Sequence, residues 1–578
     1  MTQLITKEKN AQIVISLLKS HGINKVVASP GTTNVALIGS IQNDPYFKIY
    51  SAVDERSAAY MACGLAEETG EPVVISCTGA TASRNYAPGL TEAYYRKLPV
   101  LAITSMQDFA KVGHLVAQTL DRSTIQNDVA KLSVELPIVK DKDDIWNCEI
   151  KVNRAILELT RNGGGPVHIN IPSTYTLPFE RSESPRYKKI ERHFLGDNLP
   201  HLKGKVAVFV GAHKRWTELE TEALDKFCEV NNAAVFCDHS SGYKGKYRVL
   251  TSLLSSQVYM NKEKYRPDTL IHIGEVSGDY SIGPLVGKEV WRVNEDGELR
   301  DTFRKLTNVF EMKPSDFFKQ YSSEESKTSS YFESINESIS GIKKSIPDLP
   351  FSNIWMASKL SSVIPNDSNL HFAILNSLRS WNFFEIDSSI NTSSNVGGFG
   401  IDGALSTTLG ASLANTERLN FCIVGDLAFF YDMNALGNRH VGKNLRILVI
   451  NNGKGTEFKN YNHHAAYFME SSDEFIAAAN HFGNKSPSLI KDYVQNLGFD
   501  YLSASSKADF EGCYRAFVDN NVSERSIVLE VFTNHEDESK ALELMNSIVK
   551  DHASTFKVGA KKILGKGGIN VVKKVLNK

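Results

Sequence analysis

The 578-residue sequence carries 65 Lys and Arg against 66 Asp and Glu, and 42% of its residues are hydrophobic. That length exceeds what one hydrophobic core organises, so two to four domains are expected. The balanced charge removes the case for a nucleic-acid partner held by net charge. No apolar run approaches the roughly 18–20 residues that a membrane span needs. The seven cysteines are scattered, with no CxxC pair and no zinc spacing, which suggests reduced thiols and a cytoplasmic location.

In chain order, MTQLITKEKNAQIVISLLKSHG reads as a capped amphipathic helix rather than a signal peptide. NKVVAS, PVVISC, PVLAITS and PVHINI read as buried strands of a first block, residues 1–180. The GGG at 163–165 lacks the GxGxxG spacing and leads into a strand, so it reads as a turn. RSESPRYKKIERHFLGDNLP reads as a polar linker. KVAVFVG, AAVFCD and TLIHIG belong to a second block, 201–345, whose end, SSEESKTSSYFESINESISGIKK, is helical or weakly ordered. HFAIL, NFCIVGD, LRILVINN and SIVLEVFT belong to a third, 350–550. β-branched runs alternating with amphipathic stretches predict an α/β chain of three doubly wound parallel-sheet domains. The tail, 551–578, has no acidic residue after Asp551 and interleaves lysines with apolar residues. It reads either as a solvated extension or as a basic amphipathic helix suited to a membrane surface or a protein partner.

The most informative segment is NFCIVGDLAFFYDMNALGNRHVGKNLRILVINNGKGTEF. Asp426 closes one apolar strand and Asn452, 26 residues later, closes the next. Magnesium takes octahedral oxygen ligands and shares them with phosphates. A carboxylate (Asp426), an amide oxygen (Asn452) and a backbone carbonyl near Lys454 can converge on it. Gly425 and Gly455 let the backbone approach closely, and the helix start at Leu427 favours an anionic diphosphate. Asp432 and Asn434 read as helix surface or packing.

GD and NN at this spacing resemble the diphosphate motif of thiamine-diphosphate enzymes. In the first block, SPGTT, VDERSAAYMACGLAEETG and CTGATASRN resemble their pyrimidine-binding domain. LNSL, GIDGALST and GDL-YD-NAL bring the chain close to the menaquinone-pathway synthase that adds decarboxylated 2-oxoglutarate to isochorismate. The resemblance spans 10–180 and 350–535. It implies pyrimidine-binding, central and diphosphate-binding domains, thiamine diphosphate with Mg2+, and a homodimer or homotetramer with active sites at subunit interfaces. It also implies that Glu55 is the carboxylate that hydrogen-bonds the aminopyrimidine, whose imino nitrogen then removes the thiazolium proton. Thr78, Thr81 and Asn85 match the loop facing the cofactor, Ile401 the apolar wedge beneath the thiazolium, and Gln118 a glutamine reaching the substrate.

The resemblance breaks where that synthase carries arginine. Those positions are here Thr33, Gln107, Trp381 and Val396, with Arg379 two residues before Trp381. Arginine suits carboxylate forks, so these changes argue against isochorismate. Thr32, Thr33, Asn34, Gln107, Ser377, Arg379 and Trp381 instead suggest a polar and aromatic pocket for a hydroxyl-rich acceptor, such as a sugar or nucleotide sugar. His463 and His464 are candidate acid–base groups, and Lys454, Lys459 and His114 candidate contacts to an anionic substrate. The expected reaction is decarboxylation of a 2-oxo acid with transfer of the carbanion to an acceptor. A decarboxylase releasing an aldehyde and a catalytically silent scaffold are the alternatives. No pattern in the middle block compels FAD.

Overall fold

The computed structural model describes residues 3–122, 125–174, 178–322, 330–480 and 486–550. The described chain forms two compact units. One comprises residues up to 197 together with 296–311, and the other comprises 198–295 together with residues from 312 onward.

The first unit is built on six parallel strands in the order Lys48–Ser51, Lys25–Ala28, Val73–Thr78, Val100–Met106, Val167–Pro172 and Leu132–Glu135. Successive strand residues point to opposite faces, and both faces are buried here. Val26, Val74, Leu101 and Ile103 feed one core; Val27, Val73, Ile75, Val100 and Ala102 feed the other. Helices Lys9–Ser20 and Lys142–Glu158 cover the first face, and helices Glu55–Thr69 and Ala87–Tyr95 the second. The sheet is therefore doubly wound, as the unbroken apolar runs predict.

Two sequence expectations are corrected in this unit. The N-terminal segment is not helical from its start: Gln3–Thr6 is a strand pairing antiparallel with Phe179–Ser182, and the helix begins at Lys9. The supposed linker contains the strand Glu191–Phe194, which pairs in parallel with Leu306–Glu311. Residues 296–311 group with the first unit by compactness, while Leu306–Glu311 and Glu191–Phe194 continue the sheet that contains Glu289–Val293. Polar side chains fix them there: Arg161 Nε lies 3.0 Å from the Glu311 carboxylate, and Asp301 accepts from Trp146 Nε1 at 3.1 Å and Lys188 Nζ at 2.7 Å. The GGG turn has φ of +84°, +80° and +144° at its three residues, which only glycine adopts freely.

In the second unit, parallel strands run in the order Arg248–Leu250, Ala234–Cys237, Val206–Val210, Thr269–Ile273 and Glu289–Val293. A six-stranded parallel sheet follows, ordered Asn391–Ser394, Asn369–Phe372, Asn420–Gly425, Leu445–Asn451, Ile527–Phe532 and Asp500–Ala504. Tyr331–Lys344 is a helix, with Tyr331, Ile335, Ile339 and Ile342 buried along one stripe; residues 323–329 of the same segment, and the basic tail, lie outside the described residues. Six cysteines are buried and Cys513 is half-buried. Among the described residues no helix is long and apolar enough to cross a membrane.

Candidate active site

The six-stranded sheet of the second unit sets the cleft. Asn420–Gly425 and Leu445–Asn451 are hydrogen-bonded neighbours in register, with Gly425 opposite Ile450. The residues that leave the two strand ends, Asp426 and Asn452, therefore share one edge of the sheet, where parallel sheets bind ligands. Asp426 opens the helix Asp426–Asp432. Its Oδ1 accepts from Leu427 N–H and its Oδ2 from Gly453 N–H, both at 2.9 Å. Gly453 reaches that carboxylate with φ +80°. Burial pushes the Asp426 carboxyl up to about 7 despite these donors. Asn452 Nδ2 donates to Thr456 Oγ1 at 3.3 Å, while its Oδ1 is buried without a hydrogen-bond partner. A buried carboxylate without a counter-charge beside an orphaned amide oxygen is a hard-oxygen donor pair, and it fits magnesium.

Ser377, Ile401, Gly425, Leu427, Lys454 and Gly455 also line this cleft. Ile401 is half-buried and packs on the core beneath it. The Lys454 ammonium lies 2.5 Å from Asp473, which also holds Lys459 at 2.7 Å. Desolvation works against ionisation of Asp473, but the two ammonium groups outweigh it and hold the carboxyl below its ordinary range. Both lysines are thus committed to Asp473, and what Lys454 can offer a metal is its backbone carbonyl.

Other expected residues separate. Trp381 is corrected to a core residue: it is 0% exposed and its ring packs on Phe372 at 5.5 Å, so it presents nothing to a ligand. Val396 is likewise buried. Arg379 lies on the helix Asn376–Trp381 and pairs with Glu457 at 2.5 Å. The two histidines diverge. His463 Nδ1 accepts from Ala465 N–H at 3.0 Å and its ring meets Phe458 of the cleft wall at 5.4 Å, whereas His464 is exposed and lines no part of the cleft. Sequence reasoning missed Glu538. It lines the cleft, accepts from Asn353 N–H at 3.0 Å and Thr533 Oγ1 at 2.8 Å, and is raised to about 7 by burial. In HEDESK it reads as one more acid in a first helical turn, so no sequence signal marks it.

In the first unit, Glu55 begins the helix Glu55–Thr69 just after its N-cap, Asp54. Asn85 Nδ2 donates to Glu55 Oε2 at 3.3 Å, which brings two of the expected cofactor contacts together. Thr33 and Thr78 hydroxyls meet at 2.5 Å, and Thr33 also donates to Ser105 O at 2.7 Å. A Cβ on Gly31 would lie 2.4 Å from Thr78 Cβ, so the SPG turn requires glycine. Thr33 and Asn34 are corrected from substrate contacts to buried structure. Asn34 accepts from Ser76 Oγ at 2.7 Å and donates to Ser29 O at 3.2 Å, which satisfies its amide internally. Thr32 and Gln118 are exposed, Gln118 with φ +63°, and Gln107 accepts from Lys111 at 2.7 Å. His114 is exposed.

A doubly wound α/β chain with a pair of hard-oxygen donors at one strand edge, suited to a magnesium diphosphate, and a carboxylate at the start of a helix is the arrangement of the thiamine-diphosphate class of enzyme. Residues 8–127 match the model of the thiamine pyrophosphate enzyme N-terminal binding domain. The 2-succinyl-5-enolpyruvyl-6-hydroxy-3-cyclohexene-1-carboxylate synthase of Bacteroides fragilis is 30% identical over 567 residues, covering 93% of this chain and 98% of that protein. The protein of the same name from Phocaeicola vulgatus is 30% identical over 570 residues, with the same coverage. That from Flavobacterium johnsoniae is 29% identical over 475 residues, covering 78% and 84%. The chain belongs to the thiamine-diphosphate-dependent enzymes, in the branch that contains these synthases.

Proposed function

We propose that this enzyme decarboxylates a 2-oxo acid and transfers the remaining acyl-anion equivalent to a hydroxyl-rich acceptor such as a sugar or nucleotide sugar. Thiamine diphosphate supplies the electron sink that carbanion chemistry needs. Asp426 and Asn452 would hold its magnesium, with Lys454 contributing a carbonyl. Ile401 gives the cleft a fixed apolar wall, and the glycine backbone at 453 and 455 admits the diphosphate. Glu55, oriented by Asn85, would hold a proton at the aminopyrimidine, working on the cofactor bound by a second copy of the chain. The observation that carries the reading is the Asp426–Asn452 pair at adjacent strand ends.

The acceptor class rests on a chamber that shares Asn376, Glu457 and Glu538 with the cleft. Asp279, Ser256 and Asn546 extend it, and Asn546 Oδ1 is buried and unpartnered. Arg379 in this chamber is engaged by Glu457. Such a lining accepts hydrogen bonds from hydroxyls and is poorly matched to a polycarboxylate. The relatives are named for a product bearing a carboxylate on a cyclohexene ring; Thr33, Trp381 and Val396 are buried, so the case against such an acceptor rests on the lining of this chamber.

The test is CO2 release from a panel of 2-oxo acids with thiamine diphosphate and Mg2+, beside Glu55→Ala. Release that depends on Glu55, and that accelerates on adding a sugar or nucleotide sugar, supports the proposal. Steady aldehyde formation without an acceptor would favour a simple decarboxylase, and efficient turnover of isochorismate would overturn the acceptor class.

A further inference from the structure

The first unit contains a second cavity with no part in the proposed chemistry. It lies behind helix Ala87–Tyr95, against the strand Val100–Met106, and leaves about 60 Å³ of open space. Its lining is mostly neutral: Ala87, Leu90, Ala102, Ile125 and Val129 are apolar, and Tyr86 and Thr104 are uncharged. His168 on the same wall is buried, with both ring nitrogens engaged, one by Thr104 Oγ1 at 2.7 Å and the other by Ser133 Oγ at 2.8 Å. Burial lowers its pKa to about 3, so it contributes no charge.

One wall residue is out of place in this setting. Arg122 is 7% exposed. Its Nη2 donates to Asn170 Oδ1 at 3.0 Å, while Nε and Nη1 have no partner. Among the described residues no carboxylate forms an ion pair with it, and Glu135 acts on it only electrostatically. Buried guanidinium groups are ordinarily paired, because desolvating an ion is costly without a counter-charge. A second guanidinium, Arg84, is exposed on the rim with Gln126, and Ser83 adds a hydroxyl. A buried cation with free donors, a cation at the rim and no acidic residue in the lining make the pocket wall positive, with Glu135 acting on Arg122 from outside the lining, and positive pockets concentrate anions. The free volume exceeds what a single water needs and admits a ligand of only a few heavy atoms.

We propose that this cavity is a binding site for a small carboxylate, held by Arg122 through its unpartnered Nε and Nη1 groups and drawn in past Arg84. The planar guanidinium suits a carboxylate, and the apolar wall of Ala87, Leu90 and Val129 suits a short aliphatic end such as that of acetate. The site is separate from the Asp426–Asn452 cleft, so the proposal stands whether or not the acceptor reading holds.

Acetate is the probe. Full-length enzyme, loaded with thiamine diphosphate and Mg2+, is titrated with sodium acetate at constant ionic strength against sodium chloride, following the thermal midpoint. A saturable rise is expected, because a ligand bound only by the folded state stabilises it. Arg122→Gln should abolish the rise, and Arg84→Gln should weaken apparent affinity several-fold. If Arg122→Gln does not fold, crystals of the wild-type enzyme grown without carboxylates and soaked in sodium acetate, with difference density sought beside Arg122, decide the matter. Planar four-atom density against the guanidinium supports the proposal. No saturable shift, an equal shift in Arg122→Gln, or a cavity holding water alone in the soaked crystal overturns it.

Discussion

The Asp426 carboxyl makes a quantitative expectation possible. It is 2% exposed and, without a metal, is raised from 3.8 to about 7, chiefly by desolvation. Below about pH 4 the group is protonated in both the folded and unfolded chain; between about 4 and 7 only the folded chain keeps the proton. Stability of the metal-free protein should therefore fall as pH rises through that window, with the full deficit present above it. A shift of this size corresponds to roughly 4 kcal/mol, as an order of magnitude. Magnesium binding requires the ionised carboxylate, so it must expel whatever proton is there. About half a proton per site should be released at pH 7, close to one at pH 6 and almost none at pH 8.5, and apparent Mg2+ affinity should drop about tenfold per unit below pH 7. Calorimetric titration with Mg2+ in buffers of different ionisation enthalpy reads the proton count. Asp426→Asn should lose both the release and most of the affinity, while gaining stability in the metal-free state at pH 8. Equal proton release at pH 6 and pH 8.5 would show that Asp426 does not hold the proton displaced by Mg2+.

Further expectations follow from single contacts. Asn452→Ala removes the orphaned amide oxygen and should weaken Mg2+ affinity by about 10–100-fold, measured by activity against free Mg2+, with little loss of stability. Glu55→Ala should lower CO2 release by at least about 100-fold at an unchanged thermal midpoint. Trp381→Ala empties a fully buried site and should cost about 3–5 kcal/mol in denaturant unfolding, whereas a ligand-contacting Trp would affect mainly the substrate KM. His464→Gln, at an exposed position, should leave kcat/KM within about twofold.

The layer architecture, and the two strand ends proposed to hold the metal, were legible in the amino-acid sequence. Strand residues such as Val26 and Val27 are both apolar because each feeds a different core, so an unbroken apolar run already announces a sheet covered on both faces. Asp426 and Asn452 were legible for the same reason: each ends such a run, and adjacent parallel strands bring their ends to one edge. The sequence could not show which polar residues are satisfied internally. Thr33, Asn34 and Trp381 carry the right chemistry for a ligand, but hydrogen bonds to Ser105, Ser76 and Ser29, and the packing of Phe372, consume them. Lys454 and Lys459 are likewise claimed by Asp473, a residue 14 or more positions away. Within residues 296–311, Asp301 and Glu311 bind side chains more than 100 residues earlier, pairings no local pattern announces. Burial and pairing at such separations depend on how the chain returns on itself. The path of the chain in three dimensions is what brings Glu538 into the cleft, removes Trp381 from it and buries Arg122 with its Nε and Nη1 unpartnered.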